Sequence, residues 1–183
     1  MGLREEFVVH YTSDHGEMAG EHGLWGKHCF YDESVRVPML LSGRSIPAGR
    51  RVRENVSHID VYPTLCELGG LPTPDGLRGR SMLPLLKQDT PGERTVFSEV
   101  YSGGDAALMA KRGDVKYVWY SEGKEHLFDL SRDPDETDNL AADPAYAEIK
   151  DELHEALAAL PEPWDDTDKD WTPPGGMPFA PDT

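Results

Sequence analysis

The chain has 183 residues, of which 38% are hydrophobic, and its formal net charge is −16. This length is enough for one hydrophobic core, or for one core with a small second domain. The negative charge argues against a nucleic-acid partner, because contact with the phosphate backbone requires a basic face. No apolar run in the sequence approaches the roughly 20 residues of a membrane span, so we expect no membrane partner.

The two cysteines, Cys29 and Cys66, are too few for a disulfide framework. Residues 1–6 contain neither the apolar stretch nor the cleavage site of a secretory signal. We therefore expect reduced thiols and, by default, a cytoplasmic localisation. A zinc site is not expected, since the sequence has no Cys-x-x-Cys or His-x-x-x-His spacing.

The first 90 residues show a strand, loop and helix order that is typical of an α/β fold. Residues 7–12 and 37–41 are nearly continuous apolar runs, which favours strands covered on both faces, as in a parallel sheet. Asp60 can cap a helix that runs to about Leu68, and the two glycines at 69–70 form its stop.

Beyond residue 90 the pattern changes to short β-rich segments at close spacing, which predicts a small antiparallel sheet. These segments are residues 96–101, 107–111, 116–120 and 126–130. Asp143 and Pro144 then open a helix with a capping residue and a first-position proline. Its apolar stripe at helical spacing predicts packing, and it consists of Tyr146, Ile149, Leu153, Ala156, Leu157 and Leu160.

The segment from residue 12 to residue 27, TSDHGEMAGEHGLWGK, holds the side chains best suited to chemistry. Asp14 and His15 follow a predicted buried strand, and ligand-binding residues collect at that end of the strands in open α/β sheets. A carboxylate beside an imidazole can bind a divalent ion. Four glycines allow tight turns, and Lys27 offers a compact cation to an anionic group.

A purely structural interpretation of this segment is that Asp14 caps a helix starting near Glu17. The segment and the residue after it contain three histidines, His15, His22 and His28, together with the four glycines. Capping alone does not require so many of these residues. The pattern therefore favours a ligand site slightly over a simple helix cap.

Blocks of sequence in this segment and after it resemble the sulfatase family of the alkaline-phosphatase-like superfamily. In chain order they are DHGE (14–17), GLWGK (23–27), YDESVRVP (31–38), HIDVYPTL (58–65), RGRSMLPLL (78–86), KY (116–117), LFDL (127–130) and DPDETDNL (133–140). The blocks stand in family order, and the resemblance covers roughly residues 7–160.

The resemblance implies a fold of the α/β class. We expect a partial alkaline-phosphatase-like mixed sheet, followed by a small C-terminal antiparallel sheet with a packed helix. The implied domains are a partial sulfatase catalytic core at 1–90, a C-terminal α+β subdomain at 91–160 and an acidic, proline-rich tail at 161–183.

The resemblance also implies roles for three residues. Asp14 and His15 match the family's second pair of ligands for an active-site divalent cation, expected here to be calcium, with manganese or magnesium as alternatives. Lys27 matches the lysine that contacts the anionic group of the ester, and so has a catalytic and substrate-binding role. The implied reaction is metal-assisted hydrolysis of a sulfuric ester.

The nucleophile of this family comes from a Cys/Ser-x-Pro-x-Arg motif, in which the first residue becomes formylglycine. The 183-residue sequence does not contain the motif; segment 45–50 comes closest, with its arginine one position late. Cys29 and Cys66 are expected to be packing residues. We therefore expect a C-terminal sulfatase fragment that is inactive alone and that pairs with a complementary N-terminal segment or forms a homo-oligomer.

Two other functions are compatible with the same residues. A phosphonate or phosphate ester hydrolase of the superfamily shares the Asp-His-Gly-Glu loop and the lysine. Alternatively, the chain is a non-catalytic partner subunit or an inactive remnant, as the absent nucleophile motif suggests.

Overall fold

The structure, a computed structural model, describes residues 6–44, 46–88, 90–92, 94–102 and 105–160. The elements in these ranges are β1 (Val8–Thr12), α1 (Asp32–Val35), β2 (Met39–Gly43), α2 (Val61–Gly69), β3 (Thr95–Ser102), β4 (Asp105–Arg112), β5 (Val115–Tyr120), β6 (Glu125–Asp129) and α3 (Ala147–Ala158). No helix in the described ranges is long and apolar enough to cross a membrane.

The chain divides into two compact units. The first unit combines the residues up to Thr12 with Pro38–Val96, and the second combines Ser13–Val37 with the residues from Phe97 onwards. The loop that follows β1 along the chain thus groups with the C-terminal sheet. The predicted tail at 161–183 lies outside the described residues, and the predicted domain boundaries remain a prediction.

In the first unit, β1 and β2 pair antiparallel, with Tyr11 opposite Leu40 and Thr12 opposite Met39. The expectation of strands covered on both faces, as in a parallel sheet, is wrong for this pair. Alternate side chains of a strand point to opposite faces, and the face with Val9, Tyr11 and Leu40 is about 60% exposed. A continuous apolar run does not by itself specify the direction of its neighbour.

The predicted helix that ends at residues 69–70 is confirmed as α2, and Gly70 ends it in the left-handed region with a φ of 64°. α2 begins at Val61, directly after Asp60 as predicted, but the Asp60 side chain does not cap it. A 3-10 turn at His58–Asp60 precedes the helix, and Ser57 and Asp60 form the capping box of that turn. The Asp60 carboxylate is fully buried. It also accepts hydrogen bonds from Arg94 at 2.5 Å and from the Arg80 backbone at 3.0 Å.

In the second unit, the four predicted strands are confirmed as one sheet in the order β3-β4-β5-β6. β5 pairs antiparallel with both β4 and β6. α3 follows a 3-10 turn in which the Asp143 side chain accepts from the Ala145 backbone at 2.9 Å, as the capping pattern predicted. The helix packs on the sheet in a core of Ala110, Tyr117, Leu127, Leu153 and Leu157.

Both cysteines are buried and free, as expected of packing residues. Cys29 joins Met18, Tyr31 and Phe128 in a small core of the second unit. Burial raises the pKa of the Cys29 thiol, which disfavours the nucleophilic thiolate. Of the segment 45–50, residue 45 lies outside the described residues.

Candidate functional site

Residues 14–27, the site loop, bring three side chains to one point in the second unit. The His15 Nε2 atom lies 3.4 Å from the Asp14 Oδ2 atom. The Lys27 ammonium donates a hydrogen bond to the same His15 Nε2. The Asp14 side chain is 84% exposed and that of His15 is 36% exposed, so the point is open to a ligand.

The His15 ring is oriented by a backbone contact of its other nitrogen. The Nδ1 atom lies 2.7 Å from the carbonyl oxygen of Gly16. A carbonyl can only accept, so this contact assigns the proton to Nδ1 and leaves the lone pair of the neutral ring on Nε2. Metal-binding histidines commonly donate their second ring N–H to a carbonyl in this way.

Asp14 is held in its charged form. Its Oδ1 atom accepts from the His15 backbone N–H at 3.0 Å. This hydrogen bond is the main reason that the pKa of the Asp14 carboxyl lies below its ordinary value, and the nearby Lys27 ammonium lowers it further. Asp14 is therefore ionised at neutral pH, which metal coordination requires.

The site loop folds back on itself through contacts within the loop. The Glu17 carboxylate accepts from the Gly26 backbone N–H at 2.6 Å. The Met18 N–H donates to the Gly26 carbonyl at 2.9 Å, and the Met18 side chain is fully buried in the small core that contains Cys29. Gly26 has a φ of 84°, a conformation that glycine adopts without strain. These contacts place Lys27 beside His15, 12 residues earlier.

The helix-cap interpretation of the loop does not agree with the structure. No α-helix starts near Glu17; the loop contains only a 3-10 turn at Glu21–Gly23. His22 does not join His15, since its ring stacks on Tyr31 with centroids 3.8 Å apart. Sequence analysis also missed Glu17 as the residue that fixes the fold-back, although it stands inside the DHGE block.

The donor atoms at this point fit part of a divalent metal site. An ionised carboxylate and an oriented imidazole lone pair are both suitable ligands. Calcium and magnesium take about six or more ligands, most of them oxygen. Within the described ranges, no group of three or more His, Cys, Asp or Glu side chains could hold a metal ion. The roles of Asp14 and His15 as ligands and of Lys27 as a substrate contact stay predictions.

The chain matches known proteins over most of its length. Residues 20–162 match the family model described as N-sulphoglucosamine sulphohydrolase, C-terminal. Arylsulfatase K of Rattus norvegicus is 36% identical over 173 residues, in a match that covers 87% of this chain and 30% of the relative.

Solved structures show the same likeness. A 2-O GAG sulfatase superposes with a TM-score of 0.75 at 31% identity, covering 86% of this chain and 36% of that one. The phosphonate monoester hydrolase of Agrobacterium radiobacter superposes with a TM-score of 0.71 at 29% identity, covering 86% of this chain and 35% of that one. These likenesses confirm the predicted fold class, and the chain spans about a third of the length of each of these proteins.

Proposed function

Because this chain belongs to the N-sulphoglucosamine sulphohydrolase C-terminal family, we propose that it is the C-terminal part of a sulfatase-type hydrolase. The proposed reaction is metal-assisted hydrolysis of a sulfate ester. The observation that carries the proposal is the convergence of Asp14, His15 and Lys27 at one exposed point, in the loop where the family resemblance predicted them.

Each of the three residues has a distinct role in this proposal. Asp14 and His15 hold a divalent cation, for which we propose calcium, with manganese or magnesium as alternatives. When bound, the ion stabilises negative charge that develops on the ester. Lys27 donates hydrogen bonds to the sulfate oxygens, and it is a local cation on a chain whose net charge of −16 would otherwise repel an anion.

The nucleophile must come from another segment, since the sequence lacks the Cys/Ser-x-Pro-x-Arg motif. We propose a complementary N-terminal segment as the first source and a second copy of the chain as the alternative. The first unit offers an apolar surface suited to such a segment. Its exposed apolar residues are Phe7, Val9, Tyr11 and Leu40 around the strand pair, Ile59 in the turn before α2, and Tyr62 and Leu65 in α2.

The proposal is tested by substituting Lys27 in the complete enzyme, in which this chain is joined to its nucleophile-bearing segment. Lys27→Ala should lower kcat/KM for an aryl sulfate by about 100- to 1,000-fold, the usual cost of removing one charge-stabilising donor. Lys150→Ala is the matched control, because Lys150 pairs with Glu125 at 3.1 Å and has no contact with the site loop. Equal activity of Lys27→Ala and wild type would contradict the assigned role.

A second candidate, phosphonate or phosphate ester hydrolysis, is favoured by one finding. The phosphonate monoester hydrolase of Agrobacterium radiobacter superposes on this chain with a TM-score of 0.71, and the 2-O GAG sulfatase does so with 0.75. The two structures therefore resemble this chain almost equally. Comparing kcat/KM of the complete enzyme for an aryl sulfate and an aryl phosphonate separates the two functions. Absence of turnover with either substrate would favour the non-catalytic alternative.

A further inference from the structure

Three ionisable side chains in the second unit, two buried and one partly buried, take no direct part in the proposed reaction. The Lys116 side chain is fully buried, and its Nζ atom lies 2.5 Å from Asp32 Oδ1, 2.8 Å from Glu136 Oε1 and 2.9 Å from the Phe30 carbonyl oxygen. The ammonium group donates hydrogen bonds to Asp32 Oδ1 and to the Phe30 carbonyl oxygen, and its contact with Glu136 Oε1 is an ion pair.

The three side chains form a largely buried ion cluster. It places one cation and two carboxylates in a site where Lys116 and Glu136 are almost completely buried. Burial raises the pKa of the Glu136 carboxyl, while the Lys116 charge and hydrogen bonds from Lys116 and the Asp32 N–H oppose the rise. Buried ion clusters are often no more stabilising than packed apolar residues, and their best-attested use is to specify one arrangement.

The backbone at Glu136 supports the same interpretation. Glu136 has a φ of 50°, in the left-handed region that non-glycine residues rarely adopt. From there its Oε2 atom accepts the Asp32 backbone N–H at 2.6 Å, 104 residues away in sequence. This N–H belongs to the first turn of α1, whose preceding residue Tyr31 provides no side-chain cap. Glu136 thus replaces the missing cap.

α1 in turn holds both ends of the site loop. At the first end, the Gly16 N–H donates to the Ser34 carbonyl at 2.7 Å and the Glu17 N–H donates to the Glu33 carbonyl at 2.9 Å. At the other end, the Ser34 hydroxyl donates to the Lys27 carbonyl at 2.8 Å. A four-residue helix is too short to be stable by itself, so its position depends on what holds it.

We propose that Lys116, Asp32 and Glu136 form an ionic clamp that fixes α1 and, through α1, positions the two ends of the site loop. In this inference, which rests on the proposed function for the meaning of the loop, the three are positioning residues for sulfate ester hydrolysis. The clamp connects three sequence blocks, YDESVRVP, KY and DPDETDNL, that the resemblance alone left without roles.

Hydrogen–deuterium exchange of the complete enzyme, in which this chain is joined to its nucleophile-bearing segment, tests the clamp. Glu136→Gln keeps the side-chain shape and weakens the charge contact with Lys116. We expect exchange in residues 14–18 to rise by about tenfold, equivalent to about 1.4 kcal/mol of local protection. Residues 116–120 of β5 should change much less. A purely stabilising cluster would instead accelerate exchange equally throughout the second unit, and this result would overturn the proposal.

Two further variants complete the test. Glu125→Gln is the matched control, because Glu125 pairs with Lys150 and accepts from Tyr117, away from the site loop; exchange in residues 14–18 should stay at the wild-type rate. If Glu136→Gln does not fold, Ser34→Ala tests the link between α1 and the site loop instead, because it removes the hydrogen bond from Ser34 to the Lys27 carbonyl. We then expect faster exchange in residues 24–28 and unchanged exchange in β5.

Unchanged exchange in residues 24–28 of Ser34→Ala would contradict the proposal. The measurement requires no substrate, so a complete enzyme that fails to hydrolyse sulfate esters would refute the proposed function and leave the exchange result valid.

Discussion

At the scale of single residues, Asp14, His15 and Lys27 show how much of the candidate site the sequence could predict. Their types and order favoured a ligand site only slightly, the family resemblance implied their joint role, and the structure places them together. The tautomer of His15 could not be predicted, because it depends on the position of the Gly16 carbonyl. His22 lies in the same loop but takes no part in the site, because its ring stacks on Tyr31.

At the residue scale, we expect Asp14→Asn to weaken metal binding. The substitution keeps the size of the side chain and removes the charge that a hard divalent ion requires. In the complete enzyme, the dissociation constant for Mn²⁺, measured by equilibrium dialysis, should rise at least about tenfold, since loss of a group that only hydrogen-bonds to a ligand already costs roughly 10- to 100-fold. Asp135→Asn, on an exposed turn, is the control. Equal Mn²⁺ affinities of the two variants would remove Asp14 from the ligand set.

At the scale of elements, regular structure was predicted better than irregular structure. Strands β3 to β6 and helix α3 follow from alternation, turn residues and an apolar stripe. Helix α1 was not predicted, because its four residues have no periodic pattern and its N-terminus is held by Glu136. The antiparallel direction of β1 and β2 was missed because two apolar runs carry no information on relative direction.

Gly16 gives a prediction at this scale, since the chain passes directly over α1 there. A Cβ atom at Gly16 would lie 1.8 Å from the Glu33 carbonyl oxygen, which is a backbone atom and cannot turn aside. Gly16→Ala should therefore lower the free energy of unfolding by about 1–3 kcal/mol in chemical denaturation. Gly69→Ala, in helix α2 with only ordinary contacts, should stay within about 1 kcal/mol of wild type. Equal stabilities would contradict the close approach.

The Glu125 carboxyl, in β6, leads to a second prediction at this scale, which concerns how stability depends on pH. The pKa of this carboxyl is lowered, chiefly by the hydrogen bond from Tyr117 and further by Lys150. A depressed acid contributes stability above its unfolded pKa of about 4.3 and loses it as the pH falls through the lower folded value. Melting temperature should thus fall less steeply below about pH 4 in Glu125→Gln than in wild type. Identical pH profiles would show that Glu125 makes no such contribution.

At the scale of the whole molecule, the exposed apolar faces of the first unit are the main feature. Burying one aliphatic side chain is worth about 1.5–3 kcal/mol, so several exposed ones offset much of a typical stability of about 5–15 kcal/mol. The sequence predicted two apolar strands that need covering. It could not predict what covers them, and both the partner and the cytoplasmic localisation stay proposals.

The isolated chain should therefore associate with a complementary segment, self-associate or melt at low temperature. The net charge of −16 opposes close self-contact, so we expect the complementary segment to be preferred. Light scattering with thermal melting measures this behaviour. A monodisperse monomer with a sharp, cooperative melt well above about 60 °C would contradict it.

The isolated chain should also show no hydrolysis of aryl sulfates, because its sequence lacks the nucleophile motif. Metal-dependent turnover by the purified chain would contradict this expectation. If that turnover survived alanine substitution of Ser45, Cys29 and Cys66, it would further show that the nucleophile lies elsewhere in the sequence.

The central claim, that Asp14, His15 and Lys27 form half of a metal-and-sulfate site, is tested most directly by a crystal structure of the complete enzyme grown with Mn²⁺ and sulfate. Anomalous diffraction locates the ion independently of the protein atoms. We predict an ion within about 2.6 Å of an Asp14 carboxylate oxygen and of His15 Nε2, with Lys27 Nζ hydrogen-bonded to the sulfate. An ion bound elsewhere, with Asp14 and Lys27 facing solvent, would contradict the claim.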